Sequence, residues 1–333
     1  WQQLLLFFFP ILFGTFFQQL YNTADAMIVG HFLGKQALAA VGGTTGTLIN
    51  LLVGFFVGLS SGATVVISQH YGANKEDKVQ WAVHTSIAFS ILGGIVLTVV
   101  GIGCSRWMLE LMNTPDDVVN YALIYMRVYF LGTIGNLIYN MGSGILRAVG
   151  DSKRPLLYLI ICCMTNIVLD FLFVGVWGFG LAGAAIATVC GELIGGLFPV
   201  IYFSRKNSSL LHLGKTHWNG RVFLQTCING SSELMTNLSS SIVNSLYNIQ
   251  LMKFAGENGV AAYGTMMYIN FVFLAIFFGY SIGSAPIISY HYGSGNRDEL
   301  KNLFKKSLTF IGVSGIVLVV LAQLSASTLA WLF

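Results

Sequence analysis

Charge is the scarcest commodity in this chain: of 333 residues only 9% are Asp, Glu, Lys or Arg, against roughly 25% in soluble domains. That shortage excludes a water-exposed globule. Cysteine is also sparse, and Cys104, Cys162, Cys163, Cys190 and Cys227 fall mostly inside apolar runs with no disulfide framework or zinc spacing. The six histidines form no His-x-x-x-His pair, and no His-Glu-x-x-His motif or nucleophile–base constellation occurs, so nothing points to an enzyme. No segment has the pattern of a cleaved signal peptide.

What is present is hydrocarbon. Hydrophobic residues make up 55% of the chain, and mean hydropathy is +0.72. The expected fold is an all-α polytopic membrane protein. Nine spans are predicted, near 4–33, 43–71, 80–103, 118–146, 155–177, 181–203, 222–253, 261–291 and 306–328. If the first starts in the cytoplasm, thirteen Lys and Arg fall in cytoplasmic segments and three, Lys35, Arg106 and Lys253, fall outside. That bias predicts a multi-pass protein of the plasma or inner membrane with a cytoplasmic N-terminus. The net charge of +4 then has a topological cause and implies no nucleic-acid partner.

Within the first span, Asp25 is the only acid, and a charged aspartate at bilayer depth costs roughly 2.5–3.5 kcal/mol on insertion scales. It should face protein or a water-filled cavity. Gly14, Gln18, Asn22 and Asp25 recur at helical spacing, predicting an inward polar stripe. On the span 155–177, Cys162, Asn166 and Asp170 share a face; on 181–203, Ala184, Thr188 and Glu192 do; on 118–146, Asn136 and Asn140 do. Two carboxylates within reach in low dielectric can hold a proton between them, and the same oxygens with an amide and a hydroxyl suit sodium. Sequence does not choose between the two ions.

Self-similarity is the strongest organising signal. GLSSGATVVISQHYGANKEDKV, from Gly58, aligns with GYSIGSAPIISYHYGSGNRDEL, from Gly279, at an offset of 221, matching Gly, Ser, His, Tyr and Asp positions that apolar chance does not explain. GKQALAAVG resembles GENGVAAYG upstream, at an offset of 222. With six spans between the copies, this is a parallel repeat about an axis along the membrane normal. The expected domains are an N-lobe at 1–206, a polar cytoplasmic linker at 207–221 and a partial C-lobe at 222–333. The first lobe has six helices; the second has about three of an expected six, so the chain reads as a fragment.

These elements carry a family resemblance. Asp25 in ADAMIVGHFLG, RAVGDSKRP (147–155), NIVLDFLFVGVWGFGLAGAAIATV (166–189) and the paired YGANKED and YGSGNRD turns, in this order, resemble the MATE family of multidrug and toxic compound extrusion transporters. The resemblance implies an antiporter exchanging cytoplasmic cationic or amphipathic organic compounds for H+ or Na+ by alternating access, a monomer in lipid with no cofactor beyond the coupling ion. It implies an ion site at Asp25, Asn166, Asp170 and Thr188, with Asn140 nearby, and links Pro10 to helix bending, although a static kink explains that proline equally well. A flippase for lipid-linked precursors, from the wider superfamily, is the alternative. Glu192 and Glu233 are secondary acidic candidates, each readable also as an interfacial acid. Phe16, Tyr21, Tyr125, Tyr139, Met141 and Tyr247 are the aromatic and thioether candidates for a substrate cleft.

Overall fold

The computed structural model describes residues 1–42, 44–112, 114, 116–205, 211 and 219–332, and among them the regular structure is entirely helical. Most of the linker at 207–221 lies outside the described residues. Apolar stretches become helices because backbone N–H and C=O groups deprived of water must pair within the segment. α1 (Gln2–Leu33) runs helical through Pro10 and is followed by the short α2 (Lys35–Gly42) and by α3 (Thr44–Gly72). Then come α4 (Glu76–Leu111), α5 (Asp116–Ala148) and α6 (Lys153–Asp170), which passes into a π-helical turn at Phe171–Val176. α7 (Gly180–Ser204), α8 (Gly220–Gly293) and α9 (Arg297–Leu332) complete the order.

Eight helical stretches are long and apolar enough to cross a membrane among the described residues, where nine spans were expected. The difference lies in α8, whose 74 residues would measure about 111 Å if straight. It is not straight. A Cβ on Gly62 would collide with Thr226 and Gly230 near the start of α8, while one on Gly72 would collide with Tyr290 near its end. Gly62 and Gly72 lie about 15 Å apart along α3, whereas Thr226 and Tyr290 would be about 96 Å apart on an unbroken rod. The helix therefore doubles back, accommodating both of the segments predicted at 222–253 and 261–291.

The repeat is visible in backbone detail. The turn after α3 is closed by Ala73 N–H to Gln69 O, Asn74 N–H to Tyr71 O and Lys75 N–H to His70 O; the turn after α8 repeats these as Ser294 to Tyr290, Gly295 to Tyr292 and Asn296 to His291. Both turns need a left-handed residue at the same place, Asn74 at φ 54° and Gly295 at φ 71°. The two copies also meet reciprocally: Gly72 abuts the Tyr290 carbonyl and Gly293 abuts the Gln69 carbonyl. Such an i-to-j, j-to-i contact is the mark of a two-fold relation.

Two buried apolar clusters occupy different levels of the bundle. One holds Val29, Tyr125, Met126, Phe130, Leu181 and Ala184; the other holds Val66, Ile67, Val83, Met141, Ile145 and Phe203. On α5 the gap between them falls around Asn136, and on α7 around Thr188 and Glu192. Polar groups are thus sealed between apolar layers.

Because the α3–α8 seam is backbone on backbone, a larger side chain there must push the helices apart. Gly62→Leu and Gly72→Leu should each lower the stability of purified protein in detergent by about 1–3 kcal/mol, read as thermal midpoint. Gly312→Leu, which faces open space, should not; an equal loss at Gly312 would contradict the seam.

Candidate functional site

Small residues on α7 allow the site to form. Any side chain on Gly191 would press on Asn166 and Cys162 of α6, and any side chain on Gly196 would meet the Gly135 carbonyl of α5 at 2.6 Å. With glycine at both positions, α5 and α6 approach α7 from two sides and bring their polar faces together. Asp170 is the last α-helical residue before the π-helical turn, a backbone irregularity frequent at functional sites. Among the residues that meet here, Asp170 is 0% exposed, Asn166 2%, Thr188 4%, Asp25 7% and Glu192 8%.

Asp25 of α1 and Asp170 of α6 lie close enough to act on each other electrostatically, and Asn166 stands one turn before Asp170 on the same face of α6. Asn166 Nδ2 donates to Thr188 Oγ1 at 3.4 Å, and Thr188 Oγ1 donates to the Ala184 carbonyl at 3.1 Å. What these bonds leave over is one-sided. Asp25 Oδ1, both Asp170 oxygens and Asn166 Oδ1 are buried and receive no hydrogen bond. Two carboxyls facing each other can satisfy one another only when a proton lies between them. Four buried acceptor oxygens without hydrogen-bond donors remain, all of them hard oxygen, a set whose chemistry a proton or a sodium ion would satisfy.

A second acidic centre lies beside the first. Glu192 Oε1 accepts from Tyr129 OH at 2.9 Å and Asn136 Nδ2 at 2.8 Å, while its Oε2 is buried without a partner. Asn140 Nδ2 donates to Asn136 Oδ1 at 2.8 Å, and the Asn140 carbonyl accepts from Ser60 Oγ of α3 at 2.8 Å. Asn140, expected near the Asp25 set, is thus tied to Glu192 instead, through Asn136.

Other expected residues spread out. Gln18 and Asn22 are exposed while Gly14 and Asp25 are buried, because at 100° per residue Asn22 has rotated about 80° from Gly14 and leaves the stripe. Tyr125 is buried and Tyr21 half-buried, both near enough to Asp25 and Glu192 to interact with them electrostatically. Met141 packs in an apolar cluster, and Tyr139 donates to the Pro155 carbonyl at 3.2 Å. Phe16 is exposed; Tyr247 is exposed and stacks on Tyr263 with centroids 5.5 Å apart. None of those four enters a hydrogen bond described for the acids. Glu233 is half-buried on α8 and enters none of the contacts described for the three acids. Sequence reasoning missed Tyr129. Its signal was the series Tyr125, Tyr129, Asn136, Asn140, spaced four, seven and four along one face of α5.

A family model, MatE, matches residues 10–172 and 234–333. The chain belongs to the MATE family. It is a multi-pass membrane transporter and not an enzyme. The probable multidrug resistance protein YoeA of Bacillus subtilis is 30% identical over all of this chain, which spans 73% of that protein's length. A crystal structure of MATE in the bent conformation superposes with a TM-score of 0.93 at 25% identity, covering 99% of this chain and 74% of that one. A transporter of the MOP superfamily from Pyrococcus furiosus, described as having a binding pocket of reverse polarity that suggests a different function, superposes with a TM-score of 0.91 at 26% identity, covering 99% and 73%. A fold held in common by MATE transporters and that protein does not fix the polarity of the pocket. In this chain the buried polar side chains described above include three acids, Asp25, Asp170 and Glu192.

An asparagine at position 170 imitates a protonated aspartic acid, so Asp170→Asn should leave thermal stability at neutral pH unchanged or raise it by about 1 kcal/mol. A marked loss of thermal midpoint would make Asp170 a structural bond rather than an ion receptacle.

Proposed function

We propose that this MATE chain is a secondary antiporter that exports cationic or amphipathic organic compounds from the cytoplasm in exchange for H+ or Na+, by alternating access between two lobes. The observation that carries the reading is the Asp25–Asp170 pair with Asn166 and Thr188: buried acceptor oxygens on Asp25, Asp170 and Asn166 that receive no hydrogen bond. Such a pair is unstable when empty and charged, and comfortable when a cation enters. Ion entry therefore has free energy available to shift the equilibrium between two lobe arrangements. Names such as multidrug resistance protein among the relatives support the export of organic compounds. The three buried acids favour a cationic cargo over the lipid-linked anionic precursors of a flippase.

The proposed domains are an N-lobe at 1–206 containing the ion site, a linker at 207–221 and C-lobe helices at 222–333. The reciprocal contact of α3 with the end of α8 supports a hinge axis along the membrane normal. The Lys and Arg bias supports a cytoplasmic N-terminus in the cell membrane, where the protein works as a monomer surrounded by lipid. Tyr21 and Tyr125 are the aromatic groups we assign to meet a cargo cation, since both lie near enough to Asp25 and Glu192 to interact with them electrostatically.

In a cell lacking other pumps, Asp25→Asn should abolish resistance to cationic dyes, a loss of at least tenfold in efflux rate, with membrane expression intact. Full efflux by that variant would remove Asp25 from the mechanism. Dye efflux from vesicles under an imposed proton gradient, then under a sodium gradient, identifies the coupling ion.

A further inference from the structure

Glu192 is buried and enters no ion pair among the described residues, and the proposed Asp25–Asp170 ion site does not use it. We propose that Glu192 is a second proton-binding group, separate from the Asp25–Asp170 pair, held by Tyr129 and Asn136. Geometry carries this. One carboxylate oxygen is fully engaged, taking hydrogen bonds from Tyr129 OH and Asn136 Nδ2. The other, Oε2, is buried and unpartnered beside Gly132, where an added Cβ would lie 3.1 Å away. Glycine at 132 leaves the space for it.

The surroundings select the occupant. A metal ion is held by lone pairs, but Asn136 turns its NH2 to the carboxylate and commits Oδ1 to Asn140. Tyr129 likewise donates. Among the described residues no group of three or more His, Cys, Asp or Glu is arranged to hold a metal. A proton needs no such cage. It adds to Oε2, converting carboxylate to carboxylic acid with no change in electron count, and removes a buried charge that is hydrogen-bonded on one oxygen only. The titratable groups facing Glu192 are Tyr21 of α1, Tyr125 and Tyr129 of α5 and Cys162 of α6. Neither lysine, arginine nor histidine among the described residues acts on it.

The two acidic centres then have different chemistries: oxygens without donors at Asp25 and Asp170, a donor-lined carboxyl at Glu192. For transport this inference rests on the antiporter reading, and it adds one proton to each cycle whichever ion the aspartates take.

The test is infrared titration of protonated-carboxyl absorption on the full-length transporter reconstituted in lipid. Surface acids are common to all variants, so the comparison is between Asp25→Asn/Asp170→Asn and the same protein with Glu192→Gln added. The expected result is the loss of one pH-dependent carboxyl on adding Glu192→Gln, and a displaced band in Tyr129→Phe, which removes a hydrogen bond from Oε1. Identical titrations with and without Glu192→Gln would overturn the proposal. Should Glu192→Gln not fold, Glu192→Asp and Tyr129→Phe decide it, since an unmoved band in both also overturns it. Absence of dye efflux from wild-type vesicles would instead sink the antiporter reading and leave the infrared result standing.

Discussion

Everything distinctive in this structure follows from carboxylates held away from water without a basic residue to neutralise them. A buried ion left unpaired costs several kcal/mol, and a fold gains nothing in stability by assembling three. Asp25, Asp170 and Glu192 sit below one-tenth exposure, and the groups nearest them are amides, hydroxyls and tyrosine rings. Cations from solution are the remaining source of neutrality. On the antiporter proposal, the bundle is completed by a cation that comes and goes.

Packing around the acids serves this requirement. Apolar layers above and below the polar level exclude water from the sides, and glycines on α5 and α7 allow backbones close enough that side chains from four helices converge. The same device recurs where the repeats meet, with Gly72 and Gly293 against opposing carbonyls. Ser60, hydrogen-bonded to the Asn140 carbonyl, stands on α3 between Gly58 and Gly62, which abut α8. The acidic level and the seam between repeats are thus in continuous contact through α5 and α3. A seam of backbone contacts has few intermediate arrangements, since close-packed interfaces shift between discrete packings rather than deforming smoothly.

Much of this was readable from the chain. Spacing of four placed Asn166 with Asp170 and Thr188 with Glu192, because one helix face is all that such spacing allows. The repeat announced itself through glycine, histidine and aspartate, residues that hydrophobicity alone does not conserve between copies. The remainder depends on tertiary contact. Whether Phe16 or Met141 lines a cleft depends on which neighbour covers it, and aromatic or thioether side chains serve lipid, core and pocket equally well. Asn140 drifted to Glu192 because a one-helix argument fixes its face and leaves its partner across the bundle open. The π-helical turn after Asp170 has no simple sequence period, so a run of helix-forming residues hid it, whereas the doubling back of α8 was already implied by the two spans read at 222–253 and 261–291.

The central claim is that the Asp25–Asp170 pair is a cation receptacle. Equilibrium binding of radioactive sodium to the purified transporter, with proton uptake followed in the same samples as pH is lowered, decides it. The account predicts either one sodium site that protons displace or, if the pair takes only protons, acid uptake by the wild type that sodium does not alter; in both cases the signal at the pair vanishes in Asp25→Asn/Asp170→Asn. Cation uptake that is unchanged when both aspartates are neutralised would contradict it.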